Sequence, residues 1–243
     1  MEKAFLDVML VPTSLVVMFG YHLFLLYRIL RRPETTVVGY ENHNKMEWVE
    51  RMMQGGPEAT RTALAVIATN LSAATVSASL SIALASLIGA WIGSNSLSSK
   101  LFTGAVIYGD VSPSTEGVKY VTLLACFLLA FTFFIQSARH FVHANFLIST
   151  PGCEIPVTYV QRAVVWGGNF WSLGLRALYF ATIFLLWIFG PIPMFVTSIF
   201  MVTTLHVLDT NSTPLLQYGA PKKGTDLREQ LHLQGHHGVA EAL

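Results

Sequence analysis

The fold of this chain turns on Ala177–Leu208, which reads ALYFATIFLLWIF, then GPIP, then MFVTSIFMVTTLHVL, with Gly190, Pro191 and Pro193 interrupting a run that carries no Lys, Arg, Asp or Glu. The arms Ala177–Phe189 and Met194–Leu208 hold 13 and 15 residues. At about 1.5 Å of rise per residue, neither arm alone crosses a hydrocarbon core roughly 30 Å thick. Proline removes a backbone donor and crowds the preceding turn. The segment is therefore one kinked span, whose freed carbonyls neighbouring helices satisfy, or a hairpin that returns to the side it came from. The expectation adopted is the kinked span, with the hairpin as the alternative.

Working outward, three further runs are apolar enough to cross a bilayer: about 8–27, about 64–92 within Thr62–Gly93, and about 118–138. The expected fold class is an all-α integral membrane protein, a four-transmembrane-helix bundle over residues 1–210, followed by a flexible polar tail over 211–243. Composition agrees. Of 243 residues, 53% are hydrophobic and 12% charged, against about 25% charged in soluble domains, and mean hydropathy is +0.52. A net charge of +1 leaves no field to recruit nucleic acid. Two cysteines, Cys126 and Cys153, exclude a disulfide framework.

The first run reads as a retained anchor rather than a cleaved signal. Glu2 and Asp7 precede or enter it and Arg28, Arg31 and Arg32 follow it. The same acids disfavour mitochondrial targeting, so the secretory pathway or plasma membrane is expected. With four spans, the first and third loops carry Arg28, Arg31, Arg32, Lys45, Arg51, Arg61, Arg139, Arg162 and Arg176, while the second carries only Lys100 and Lys119. The positive-inside rule makes the first and third loops cytoplasmic and places both termini outside, although Lys222, Lys223 and Arg228 of the tail then fall on the wrong side. Asn211-Ser212-Thr213 is a glycosylation sequon that faces the lumen in this arrangement.

Two connecting segments have amphipathic patterns. Asn44–Gln54 places Met46, Val49 and Met53 on one face, and Pro156–Trp166 is similar; both are expected as short interfacial helices. Asn95–Thr115, rich in Ser and Gly, is expected as an external loop.

Within the spans, the second has small residues four apart: Ala65, Thr69, Ala73, Ser77, Ser81, Ala85, Gly89 and Gly93. Small residues let helices approach closely, and Gly89–Gly93 is a GxxxG pair. The row drifts about 40° per step, so different parts of it meet different neighbours. Packing, with Ser77, Ser81, Ala85, Gly89 and Gly93 as the contact residues, competes with a hydroxyl-lined path using Thr75, Ser77, Ser79 and Ser81.

Ionisable groups at membrane depth are costly and invite a functional reading. The candidate polar cluster is His22, Arg61, Asn70, Arg139, His140, His143 and Arg176 on the cytoplasmic side. His22, His140 and His143 are a conceivable metal set, and His206 and Asp209 a local pair on the opposite side. No phosphate loop, GxSxG, HExxH or dinucleotide fingerprint is present.

Three strings carry a resemblance: Gln136–His143 (QSARHFVH), Phe170–Tyr179 (FWSLGLRALY) and Leu186–Phe195 (LWIFGPIPMF). Through them the chain resembles a family of plant and proteobacterial membrane proteins known as domain of unknown function five hundred ninety-nine. Arg139, His143, Trp171, Arg176, Pro191 and Pro193 match its motif positions. The resemblance implies a four-span membrane protein of plant type and supplies no activity.

The leading functional expectation is a structural or accessory membrane subunit, without catalysis or cofactor, that contacts lipid and packs with itself or a membrane partner. An oligomeric channel or transporter, and a histidine metal site, are the alternatives.

Overall fold

The computed structural model describes residues 2–93, 112–150 and 155–213. The expected loop over 95–115 lies mostly outside these residues, as does all of the expected tail beyond Thr213. The described chain forms helices α1 (Glu2–Arg31), α2 (Val37–Gln54), α3 (Gly56–Gly93), α4 (Pro113–Ser149), α5 (Val157–Phe189) and α6 (Pro191–Asp209), with a 3-10 turn at Pro33–Thr35. All but α2 are long and apolar enough to cross a membrane. The chain is thus built as a multi-pass membrane protein, with five candidate spans where four are expected.

The fifth arises at Gly190. Its φ of 141° and ψ of 170° lie in a region only glycine occupies readily, and α5 stops there with Gly190 N–H bonded to Trp187 O at 3.0 Å. Pro191 and Pro193 then sit in the first turn of α6, where helix N–H groups have no intrahelical acceptor and a missing donor costs nothing. The GPIP sequence is therefore a helix start rather than a kink. Each arm is longer than its apolar core: the first begins at Val157, not Ala177, and the second at Pro191, not Met194. Pro156–Trp166, expected as a separate interfacial helix, is the first part of the same continuous α5.

Side-chain contacts fix how far the helices run between the two ends of the bundle. At one end Trp187 donates to Asp7 Oδ1 at 3.2 Å, the Lys119 ammonium lies 5.6 Å from the Trp187 ring, and Trp91 packs on Tyr120. At the other, Arg28 bonds Thr210, Arg176 pairs with Asp209, and His140 stacks on Phe170. From Asp7 to Arg28, Asn70 to Trp91, Lys119 to Arg139 and Gly190 to Asp209 are 19 to 21 residues, about 28–32 Å of helix each. That is the thickness of the hydrocarbon core. Helices α3, α4 and α5 continue beyond it at the Asp209 end.

On those extensions sits α2, capped by Thr36 Oγ1, which accepts from Gly39 N–H at 3.2 Å. Val49 of α2 is fully buried with Ile67, Phe141, Val160 and Val164, and Met53 packs against them. The expected surface helix thus covers protein with its Val49–Met53 face, leaving Met46 exposed. Between the two ends, Met18, Ala85, Leu123, Ile183 and Met194, one from each span, close a common apolar core.

The tightest packing joins α4 to α5. A Cβ on Gly174 would lie 2.6 Å from Phe134 Cε1, and one on Gly167 2.8 Å from Phe141 Cε1. Both pairs are seven residues apart, so two phenylalanine rings seat on two glycines one heptad apart. Between them Ser137 donates to Gly167 O at 2.8 Å.

Candidate functional site

The hairpin brings together Arg176 and Asp209, which a four-span reading puts on opposite faces. Arg176 Nη2 donates to Asp209 Oδ1 at 2.7 Å and Nη1 to Oδ2 at 3.2 Å, and Tyr21 O–H donates to Oδ2 at 2.7 Å. The two charged side chains are 15% and 12% exposed. The forked geometry suits guanidinium and carboxylate, and the arginine stem lets α5 carry its charge out toward the end of α6. Asp209 has three donors from two other helices, so the group clamps α1, α5 and α6 together. Arg28 extends the clamp, donating to Thr210 Oγ1 at 3.2 Å and Thr35 O at 2.7 Å. Asn211 completes it by donating from Nδ2 to Glu34 O at 3.1 Å. The sequon therefore stands beside the first connection, on the side opposite to the one expected. The proposed His206–Asp209 pair does not form through hydrogen bonds; His206 lies edge-on to Tyr21 instead.

The remaining candidate residues are dispersed over this end of the bundle and do not form one cluster. His22 Nδ1 donates to Met18 O at 2.8 Å, and its ring packs on Phe180. His140 stacks on Phe170 and Trp166. Phe170 and Phe180 are ten residues apart on α5, about 15 Å along the axis, so His22 is held away from His140. Arg139, His140 and His143 border a half-open groove of about 550 Å³ on α4. Among the described residues no three His, Cys, Asp or Glu stand together as a metal site, and His22 is not brought to His140 and His143. Arg61 lies farther out, in a 2.9 Å surface pair with Glu58.

Asn70 borders a half-open cavity of about 590 Å³ between α2, α3, α4 and α5. Its polar rim is Glu41, Asn44, Lys45 and Asn70, and Trp48 and Trp171 form walls. Lys45 donates to Glu41 Oε2 at 2.8 Å. Its Nζ also occupies the space over Gly168, where a Cβ would lie 2.6 Å away. Asn42 Nδ2–Asn169 Oδ1 at 3.0 Å and Gln161 Nε2–Met46 O at 3.0 Å fix α2 above the opening. Asn70 and Trp171 stand out in the sequence, whereas Lys45, Glu41 and Gly168 do not. The available signal was the Gly167-Gly168 pair on an otherwise bulky helix.

The drifting row on α3 is used in parts. Ser81 and Ala85 are buried and Ser77 half-buried, whereas Ala65, Thr69, Ala73, Gly89 and Gly93 are exposed. The hydroxyls of Thr75, Ser79 and Ser81 donate to the carbonyls four residues back, the usual local bond of such residues in membrane helices.

A family model described as "Protein of unknown function, DUF599" matches residues 9–214, and the chain belongs to that family. No curated protein and no solved structure matches it.

Proposed function

We propose that this DUF599 member is a non-catalytic multi-pass membrane protein that assembles with further copies of itself, joined through the outer half of α3. The observation that carries this reading is the open Gly89–Gly93 pair. Among the described residues nothing lies within 4 Å of a Cβ built on either glycine, on a span that packs chiefly on α4. Small residues four apart on a lipid-facing surface admit a second helix at short distance. The apolar core that closes between the two polar ends favours packing over transport.

Orientation follows from charge. With five spans, Thr213 leaves the bundle at the Arg28 end, so Lys222, Lys223 and Arg228 join the nine positive residues already there, leaving Lys3, Lys100 and Lys119 for the other side. This asymmetry favours a cytoplasmic Asp209 end and an external N-terminus, in a plasma or secretory-pathway membrane.

The test is subunit counting by photobleaching of singly labelled protein in vesicles at low protein-to-lipid ratio. Multiple bleaching steps that collapse to one in Gly89→Leu/Gly93→Leu support the assembly. Single steps in the wild type, or no change in the variant, overturn it.

A further inference from the structure

We infer that the cavity beneath α2 binds the headgroup of a phospholipid bearing a primary amine, with its phosphate on Lys45, its ammonium on Glu41 and one acyl chain along α3. The depth is right: Asn70 on the rim lies 21 residues from Trp91 at the far end of the core, about 32 Å, which is the level of lipid headgroups. The cavity is half-open, so a lipid can enter from the side.

The charges are built in. The Lys45 side chain is only 29% exposed, and it reaches Gly168 because that position has no Cβ. A partly exposed Lys–Glu pair four apart contributes well under about 1 kcal/mol, too little to hold a lysine in a glycine notch. A cation and an anion side by side complement a zwitterion lying antiparallel to them. Ethanolamine offers three N–H donors to the Glu41 carboxylate, whereas choline offers none. A purely anionic headgroup gains Lys45 but meets Glu41.

The tail has a path. A groove of about 690 Å³ lined by Ala68, Ser72, Ala73, Val76 and Ser77 runs along α3 and shares Ala73 and Trp171 with the cavity. The small side chains leave room for a chain against the helix, and the indole at the junction suits the boundary between headgroup and hydrocarbon.

The experiment is native mass spectrometry of the full-length, delipidated protein in detergent. It is titrated separately with phosphatidylethanolamine, phosphatidylcholine and phosphatidylglycerol of identical acyl chains, and with phosphoethanolamine lacking chains. Phosphatidylethanolamine should bind at least about fivefold tighter than either competitor, roughly 1 kcal/mol. Lys45→Ala and Glu41→Gln should each erase that preference, and Glu41→Gln should raise phosphatidylglycerol binding. Gly168→Ala should weaken binding without removing a charge, and thermal melts identify variants that remain folded. Equal binding of all three lipids, a choline preference, or indifference to all three substitutions overturns the site. Equal binding of chain-free phosphoethanolamine overturns the role of the α3 groove.

Discussion

Replacing Arg176 with methionine would leave Asp209 with Tyr21 as its remaining donor, at the end of a bundle where its side chain is 12% exposed. Two forked hydrogen bonds of 2.7 and 3.2 Å disappear together. Removing one partner of a fully buried pair costs about 3–5 kcal/mol, mostly through the charge left behind. Residual exposure at the bundle end lets water reach it, so about 2–4 kcal/mol is expected here. Asp209→Asn strands the guanidinium similarly while keeping an acceptor for Tyr21. The double variant strands neither charge and should cost at least ~2 kcal/mol less than the sum of the singles. Reversible unfolding in mixed micelles, followed by tryptophan fluorescence, measures all three. Additivity within ~0.5 kcal/mol would refute the pairing, and with it the hairpin that places Asp209 beside Arg176.

Further outcomes follow from the close approaches. Gly174→Ala drives a methyl toward the fully buried Phe134 ring and should destabilise the α4–α5 contact by about 1–3 kcal/mol; Phe134→Leu should recover part of that in the same unfolding assay. Gly190→Ala places a side chain at φ 141° and should cost about 1–3 kcal/mol. Gly20→Ala, with no described residue within 4 Å of the added methyl, is the control and should be neutral or slightly stabilising. Thr36→Val removes the acceptor for Gly39 N–H and should loosen α2 by about 1 kcal/mol, seen as faster hydrogen exchange over Val37–Tyr40.

The apolar runs were legible because lipid imposes a length, and the first three expected spans fall inside α1, α3 and α4. The last segment was misread for a physical reason. A lone arginine ends an apolar run in sequence, yet Arg176 stands inside α5 because Asp209, 33 residues later, neutralises it. Proline in GPIP likewise has two meanings, a kink within a helix or an unpunished place in a first turn, and only the conformation of Gly190 decides between them. The drift of the small-residue row was readable from helix geometry, and burial does change along it. The histidines were not, since spacing reports neighbours on one helix only, and aromatic residues of α5 hold His22 and His140 apart. In sequence Lys45 is one more positive charge of the first loop; its seat over Gly168 exists only once α2 folds back onto α5.

The number of crossings is tested most directly by single-cysteine labelling in sealed, uniformly oriented vesicles. The background carries serine at Cys126 and Cys153, with one cysteine at Glu34, Ser112 or Thr213 and a membrane-impermeant maleimide added outside. With Asn211 bonded to Glu34 O at 3.1 Å, five crossings predict that positions 34 and 213 label together and position 112 labels oppositely. Labelling of position 213 together with position 112, and not with position 34, would contradict the hairpin and restore the four-span bundle.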